Sequence, residues 1–136
     1  MKKLNKELVL DYKKWRSGDY GDNKVGDSYT SLLNPNTEQM CCLGQFCLQS
    51  GFTKEEISDV TDPDSLDTII QGLNKKREGE IVSTKLSLDA IDINDDKKLT
   101  TAQRTTQLQK LFKKHGYTVT LKNFPKKVLK EMENET

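Results

Sequence analysis

The sequence predicts a mainly helical α+β fold, in which several helices pack with a small antiparallel sheet. Apolar residues recur at helical spacing over most of the chain, most clearly between residues 101 and 114. By contrast, Tyr117 to Leu121 alternates large apolar residues with threonines, which is typical of a strand. With 136 residues and 33% hydrophobic content, we expect one globular domain over residues 1–124 and a charged C-terminal helix or frayed tail over 125–136.

The first element is expected to be a helix that ends at Ser17-Gly18. Asn5 can cap its N-terminus. Its apolar residues recur near helical spacing, at Leu4, Leu8, Tyr12 and Trp15. The next stretch, residues 18–37, holds glycines and aspartates with little periodicity, which predicts a long loop. A loop of this length in a small domain is usually functional or mobile.

Three helices are expected between residues 40 and 73, followed by a polar connection over Lys75 to Gly79. The apolar segment from Met40 to Gly51 predicts a buried helix, with Gly51 just beyond its C-terminus. Thr53 and Glu56 form a capping box at the start of a short helix. Pro63 stands in the first turn of a further helix, whose apolar residues are regularly spaced at Leu66, Ile69, Ile70 and Leu73.

Two more helices are predicted before the strand at Tyr117. Residues 84–93 fit both a helical and an alternating period, and we favour a helix. A clearer helix covers residues 101–114, with Thr100 or Thr101 as its N-cap and Gly116 at its end.

The three cysteines, Cys41, Cys42 and Cys47, lie in one short segment, and two of them are adjacent, which does not suit a disulfide framework. The single histidine, His115, is far away, and no C-x-x-C pair supplies the spacing of a zinc site. We therefore expect reduced, buried thiols in a cytoplasmic protein. No apolar run approaches the roughly 18 residues of a membrane span, so no membrane contact is predicted.

The charged residues divide the chain into two parts, although the net charge is only +1. Residues 1–96 carry 12 basic and 18 acidic side chains, whereas residues 97–130 carry 10 basic side chains and no acidic one. We call residues 97–130 the basic segment. Such a segment favours an anionic partner. The alternative is that Lys113 and Lys114 complement the carbonyl end of a helix, which leaves the lysines from 122 to 130 unexplained.

Residues 92–103 match part of a calcium-binding EF-hand loop. Asp92, Asn94 and Asp96 occupy its first, third and fifth positions. However, Lys97 stands where glycine permits the sharp turn, and Gln103 stands where a bidentate glutamate closes the coordination shell. The alternative is a turn whose aspartates complement the dipole of the next helix. The sequence leaves calcium binding open, and we assign no metal.

Three short motifs, in this order along the chain, are similar to those of a group of small phage and bacterial proteins. They are Trp15-Arg16-x-Gly18, then Cys41-Cys42-Leu43-Gly44, then Ala90-Ile91-x-Ile93-Asn94-Asp95 before a threonine-capped helix. Within that group, the chain resembles the Thoeris anti-defence proteins of phages, which sequester cyclic nucleotide-derived immune signals. The resemblance implies a homo-oligomer in the host cytoplasm with ligand pockets at subunit interfaces, and it places Asn94 near the base.

A protein that captures such a signal needs cations for phosphates, an aromatic face for the base and an amide for its edge, but no general base, metal or cofactor. The chain offers these residue types. The candidate ligand-binding residues are Trp15, Arg16, Asn94, Asp95, Arg104, Lys113 and Lys114. Several also have a structural interpretation: Trp15 fits the apolar face of the first predicted helix, and Arg104 can simply solvate its own helix.

The first functional hypothesis is therefore a non-catalytic binding protein that holds an anionic, nucleotide-like small molecule and counters host defence. The alternatives are a nucleic-acid-binding accessory protein that uses the basic segment, and a protein-binding inhibitor of a host defence system. An enzyme is less favoured, because one histidine and unclustered carboxylates offer no acid–base pair. A homo-oligomer is expected because so lean a chain buries limited apolar surface alone.

Overall fold

The computed structural model describes residues 6–15, 40–58, 63–76 and 84–134. Within these ranges the chain forms two strands, β1 (Glu7–Asp11) and β2 (Thr118–Lys122), and a 3-10 turn (Tyr12–Lys14) follows β1. The helices in the same ranges are α1 (Cys42–Gln49), α2 (Lys54–Ile57), α3 (Pro63–Lys76), α4 (Thr84–Asp95), α5 (Thr101–Lys114) and α6 (Lys126–Glu133). The prediction of a mainly helical α+β fold is confirmed, and the C-terminal segment takes the helical alternative.

The sheet is parallel, so the prediction of an antiparallel sheet is wrong. β1 pairs with β2 in a register that runs from Glu7 opposite Thr118 to Asp11 opposite Lys122. The physical reason is the connection between the strands. Antiparallel neighbours can be joined by a tight hairpin, whereas here more than a hundred residues separate the two strands, and the described part of that connection contains five α-helices. The chain returns to the same end of the sheet before β2 begins.

The prediction of an N-terminal helix is also wrong, because β1 and the 3-10 turn occupy that segment. Leu8 and Leu10 are fully buried, while the alternate residues Glu7, Val9 and Asp11 are partly exposed. This alternation belongs to a strand with one face on the core. The spacing of Leu4, Leu8, Tyr12 and Trp15 fits a helix as well, and the backbone partners on β2, more than a hundred residues later, decide in favour of the strand.

The local signals for the later helices are confirmed. Thr53 and Glu56 form the capping box of α2, and Thr100 forms the corresponding box with Gln103 at the start of α5. Gly51 and Gly116 follow α1 and α5 with φ of 103° and 90°, the left-handed conformation that glycine adopts most readily. α4 also forms where the sequence fitted both periods.

The core forms around α1, whose residues from Cys42 to Cys47 are all buried. The ring of Phe46 packs edge-on against Phe112 of α5 and against Tyr117 before β2, with centroid distances of 5.5 and 5.3 Å. Offset and edge-on aromatic contacts add specific geometry to the burial of large apolar surface. α1 therefore packs against β1 and α4, and its Phe46 ring reaches α5, which also contacts β2 directly.

Two glutamines of α1 bind the backbone of β1 along the edge that β2 does not cover. The Gln49 side chain accepts from the Val9 N–H at 2.8 Å and donates to the Val9 carbonyl at 2.7 Å. The Gln45 side chain does the same with Asp11, at 2.7 and 3.1 Å. We call Gln45 and Gln49 the glutamine pair. Their amides satisfy β1 as a third strand would, since buried backbone groups require partners.

Some sequence-based predictions lie outside the described residues. These are the loop over residues 18–37 and the candidate residue Arg16. Among the helices in the described ranges, none is both long enough and apolar enough to span a membrane.

Replacing Gln45 with leucine tests the glutamine pair. The Gln45 side chain is 3% exposed, so its loss leaves the Asp11 N–H and carbonyl without their amide partner at a site that water reaches poorly. We expect Gln45→Leu to lower the free energy of unfolding by about 2 kcal/mol. Urea denaturation followed by circular dichroism measures this loss.

The matched control is Gln107→Leu, at an exposed position of α5. This variant should change stability by less than about 0.5 kcal/mol. Equal losses in the two variants would contradict a specific role for the Gln45 amide.

Candidate functional site

The side chain of Asn94, near the end of α4, lies in the core with no exposed surface. Its Oδ1 accepts hydrogen bonds from the Trp15 Nε1 at 2.6 Å and from the Cys42 backbone N–H at 3.1 Å. Its Nδ2 donates to the Asp95 carboxylate at 3.0 Å. The Cys42 N–H belongs to the first turn of α1, where backbone donors have no partner within the helix. Asn94 therefore supplies that partner from another helix.

This hydrogen-bond centre brings together the three motifs that carried the resemblance. Trp15 comes from the first motif, Cys42 from the second and Asn94 from the third. The Cys42 thiol also donates to the carbonyl of Ala90, at 3.7 Å. Trp15 is 1% exposed and Asn94 is 0% exposed, so neither side chain can contact a dissolved ligand in this conformation. Trp15 therefore lies in the core, as its structural interpretation predicted.

Arg104 has no exposed surface either, and it closes the turn between α4 and α5. Its Nη2 donates to the backbone carbonyls of Asp96 and Leu99, at 2.5 and 2.8 Å. The Asp96 carboxylate accepts from the Lys98 N–H at 2.9 Å within the same turn. A guanidinium presents several donors in a fixed plane and is weakly hydrated, which suits it to bind buried carbonyls. Arg104 therefore stabilises this turn through hydrogen bonds and is not a surface cation.

The segment that resembled a calcium loop has a different conformation. α4 continues to Asp95, so the first and third loop positions, Asp92 and Asn94, lie on a helix. Gln103, at the last loop position, closes the α5 capping box with Thr100. Among the described residues, no group of three or more histidine, cysteine or acidic side chains could hold a metal ion. These residues therefore belong to the end of α4, to the turn and to the α5 capping box, and the first turn of α5 holds no acidic residue.

The three cysteines are free and buried, as predicted. Burial, together with the negative charge of Asp95, raises the pKa of the Cys41 thiol to about 12. Burial likewise raises the pKa of Cys42, with the neighbouring Cys41 and then Asp95 as further causes. A thiol is nucleophilic as the thiolate. Cys41 and Cys42 therefore remain protonated and act as small packing residues.

The lysines of the basic segment lie in solvent. Lys113 and Lys114 are exposed in the last turn of α5, nine and ten residues beyond Arg104, which is about 14 Å along a helix. All nine lysines of the segment are exposed: Lys97, Lys98, Lys110, Lys113, Lys114, Lys122, Lys126, Lys127 and Lys130. None of them forms an ion pair with a described residue; the ion pair found in the described ranges joins Lys85 to Asp89.

A groove of about 410 Å³ lies beside the carboxyl end of β1. Two lysines line it, Lys14 from the 3-10 turn and Lys122 from the end of β2. Its other lining residues are Val9, Asp11, Met40, Gln45, Leu48 and Gln49. The proximity of Lys14 to the basic segment could not be predicted from the sequence, because it depends on the parallel register that places Asp11 opposite Lys122.

Two aromatic rings lie at the same end of the sheet. Tyr12 and Phe124 are both partly exposed and meet edge-on, with their centroids 5.2 Å apart. Phe124 also contacts the buried Trp15, at 5.9 Å. Asn123, between Lys122 and Phe124, has a φ of 60° and donates to the Asp11 carboxylate at 2.9 Å. Sequence analysis missed this pair of rings, since they approach each other only through the parallel pairing.

The predicted candidates thus divide into two sets. Trp15, Asn94 and Asp95 meet at one buried centre, and Arg104 closes a nearby turn. Lys113 and Lys114 stand apart from them on the surface, and Arg16 lies outside the described residues. What the surface offers chemically is ammonium groups and partly exposed rings.

Comparisons of the chain with protein-family models, with curated proteins and with solved structures give no match. The function is therefore inferred from the residues and their geometry.

Replacing Asn94 with leucine tests the buried centre. The change leaves the Trp15 Nε1 and the Cys42 N–H without their acceptor inside the core. We expect Asn94→Leu to lower the free energy of unfolding by about 3 kcal/mol, because each unsatisfied buried donor costs about 1–3 kcal/mol. Denaturation followed by Trp15 fluorescence measures the loss. Asp92→Leu, at an exposed position of the same helix, is the control and should leave stability nearly unchanged.

The buried thiols predict a dependence of stability on alkaline pH. Unfolded cysteine loses its proton near its ordinary pKa of 9.0, whereas folded Cys41 keeps its proton to about pH 12. The unfolded chain then binds fewer protons, so the free energy of unfolding falls as pH rises between these values, by about 1.4 kcal/mol per pH unit for each thiol.

Denaturation at a series of alkaline pH values measures this fall. A Cys41→Ala variant should show a shallower decline above pH 9.0 and the same profile below it. An unchanged slope would show that the Cys41 thiol does not contribute.

Proposed function

We propose that the protein is a non-catalytic nucleic-acid-binding protein that holds its partner through the basic segment. The single observation that carries the proposal is the set of nine exposed lysines over the turn before α5, α5 itself, β2 and α6, with no ion pair to a described residue. Lysines bind phosphates by charge and release condensed counterions from the nucleic acid, which gives binding without a specific sequence. A chain segment with basic and no acidic side chains, within a chain of net charge +1, favours an anionic partner.

The distribution of the lysines supports a polyanion over a small ligand. They lie on successive elements, from the turn before α5 to the end of α6, rather than around one enclosed cavity. A mononucleotide carries few charges in a small volume, whereas a nucleic-acid backbone presents a phosphate at every step. The spread of cations over several elements therefore matches an extended partner.

Capture of a nucleotide-like small molecule stays a proposal with less support. It depends on Trp15, Asn94 and Arg104 contacting the ligand, and these side chains have 0–1% exposed surface. Binding without turnover is part of both proposals, because the surface supplies lysines, while the Cys41 and Cys42 thiols are buried and protonated.

The salt dependence of binding tests the nucleic-acid proposal. We expect a labelled DNA duplex to bind with an affinity that falls steeply as salt rises. The double variant Lys113→Gln, Lys114→Gln should weaken binding and reduce the slope of log affinity against log salt by about 1.8, since each lost phosphate contact contributes about 0.9. Fluorescence anisotropy across a salt titration measures both quantities.

The matched control is Lys75→Gln, Lys85→Gln, which removes the same charge from α3 and α4. It should keep the slope of the unchanged protein. If both double variants reduce affinity equally, binding depends on net charge alone; if no duplex or single strand binds at low salt, the proposed function is wrong.

A further inference from the structure

The parallel sheet brings two chain exits together at its carboxyl end. β1 leads into Tyr12, Lys13 and Lys14, and β2 leads into Asn123 and Phe124 before α6. The contact between the Tyr12 and Phe124 rings fixes the two exits side by side, as does the hydrogen bond from Asn123 to Asp11. Lys14, from the acidic first part of the chain, thereby lies on the same groove as Lys122 of the basic segment.

The groove at this end has an apolar surface between two cations. Val9, Met40 and Leu48 provide the apolar lining, Lys14 and Lys122 provide two positive charges, and Asp11 adds a carboxylate that accepts from Asn123. Neither lysine forms an ion pair with a described residue. The volume of about 410 Å³ falls within the range of small-ligand sites and accommodates one nucleobase with its sugar. Lys122 belongs to the basic segment, so the groove is continuous with that surface.

The glutamine pair excludes one other occupant, an added peptide strand. A peptide that extended the sheet at β1 would need the Val9 and Asp11 backbone groups, which already bind the Gln49 and Gln45 amides. Strand addition depends on such free edge groups. The groove therefore offers charge and apolar contact rather than a backbone edge.

We propose that this groove takes a base of a single-stranded nucleic acid, with the flanking phosphates at Lys14 and Lys122. The inference rests on the proposed function and deepens it, because it names the strand state of the partner. A base that is not held in a duplex can leave its neighbours and insert between side chains. The partly exposed Tyr12 and Phe124 rings lie near the same exits and can stack with a neighbouring base.

The experiment compares two ligands of equal charge, a short oligothymidylate and an abasic oligonucleotide of the same length. Anisotropy titrations at fixed salt should give about tenfold tighter binding for the oligothymidylate, since only it has bases to insert. Val9→Phe fills the groove and should abolish this preference while leaving the affinity for the abasic strand unchanged. Thr118→Phe, an exposed site at the other end of the sheet, is the matched control and should keep the preference.

A second variant covers the case in which Val9→Phe does not fold. Lys14→Gln, Lys122→Gln should weaken oligothymidylate binding more than Lys113→Gln, Lys114→Gln does, although both remove two charges. Equal binding of the two ligands, or a preference that survives in Val9→Phe, would overturn the inference while duplex binding keeps the proposed function. Free thymidine monophosphate that binds as tightly as the oligonucleotide would overturn it in favour of a small-ligand site.

Discussion

The side-chain amide of Asn94 is the contact on which the rest of the structure depends. Its oxygen joins Trp15 and Cys42, which are 79 and 52 residues away along the chain. All three residues are buried, so each polar group would be costly without its partner. One amide thus requires the end of the 3-10 turn, the start of α1 and the end of α4 to meet at one point.

The position of the surface site follows from this buried contact. Trp15 pairs with Met40 as an isolated bridge, and the Met40 N–H donates to the Lys14 carbonyl at 2.9 Å. Met40 leads directly into α1, whose glutamine pair holds the backbone of β1. Lys14 is therefore placed beside the groove by the same core that buries Trp15. Lys14 and Trp15 are thus adjacent in the chain, but Lys14 is exposed beside the groove and Trp15 is buried in the core.

Local signals predicted much of the helical structure, and long-range pairing explains what they missed. The caps at Thr53 and Thr100 and the glycine ends at Gly51 and Gly116 act within a few residues, so the sequence alone suffices for them. β1 depends on a partner strand more than a hundred residues away, and nothing near Leu8 reveals it.

The same distinction applies to the candidate site. Sequence analysis selected Asn94 and Arg104, but the chemistry of an amide or a guanidinium suits a ligand and a buried backbone group equally well. Only burial separates the two roles.

Burial also separates the arginine of the basic segment from its lysines. The one arginine binds two carbonyls inside the protein, while the nine lysines are exposed to water. A guanidinium can bind a base edge or a phosphate in a bidentate way, whereas an ammonium acts as a hydrated point charge. Lysines alone therefore give attraction without selectivity, so the proposed preference for single strands depends on the groove where apolar side chains lie beside Lys14 and Lys122.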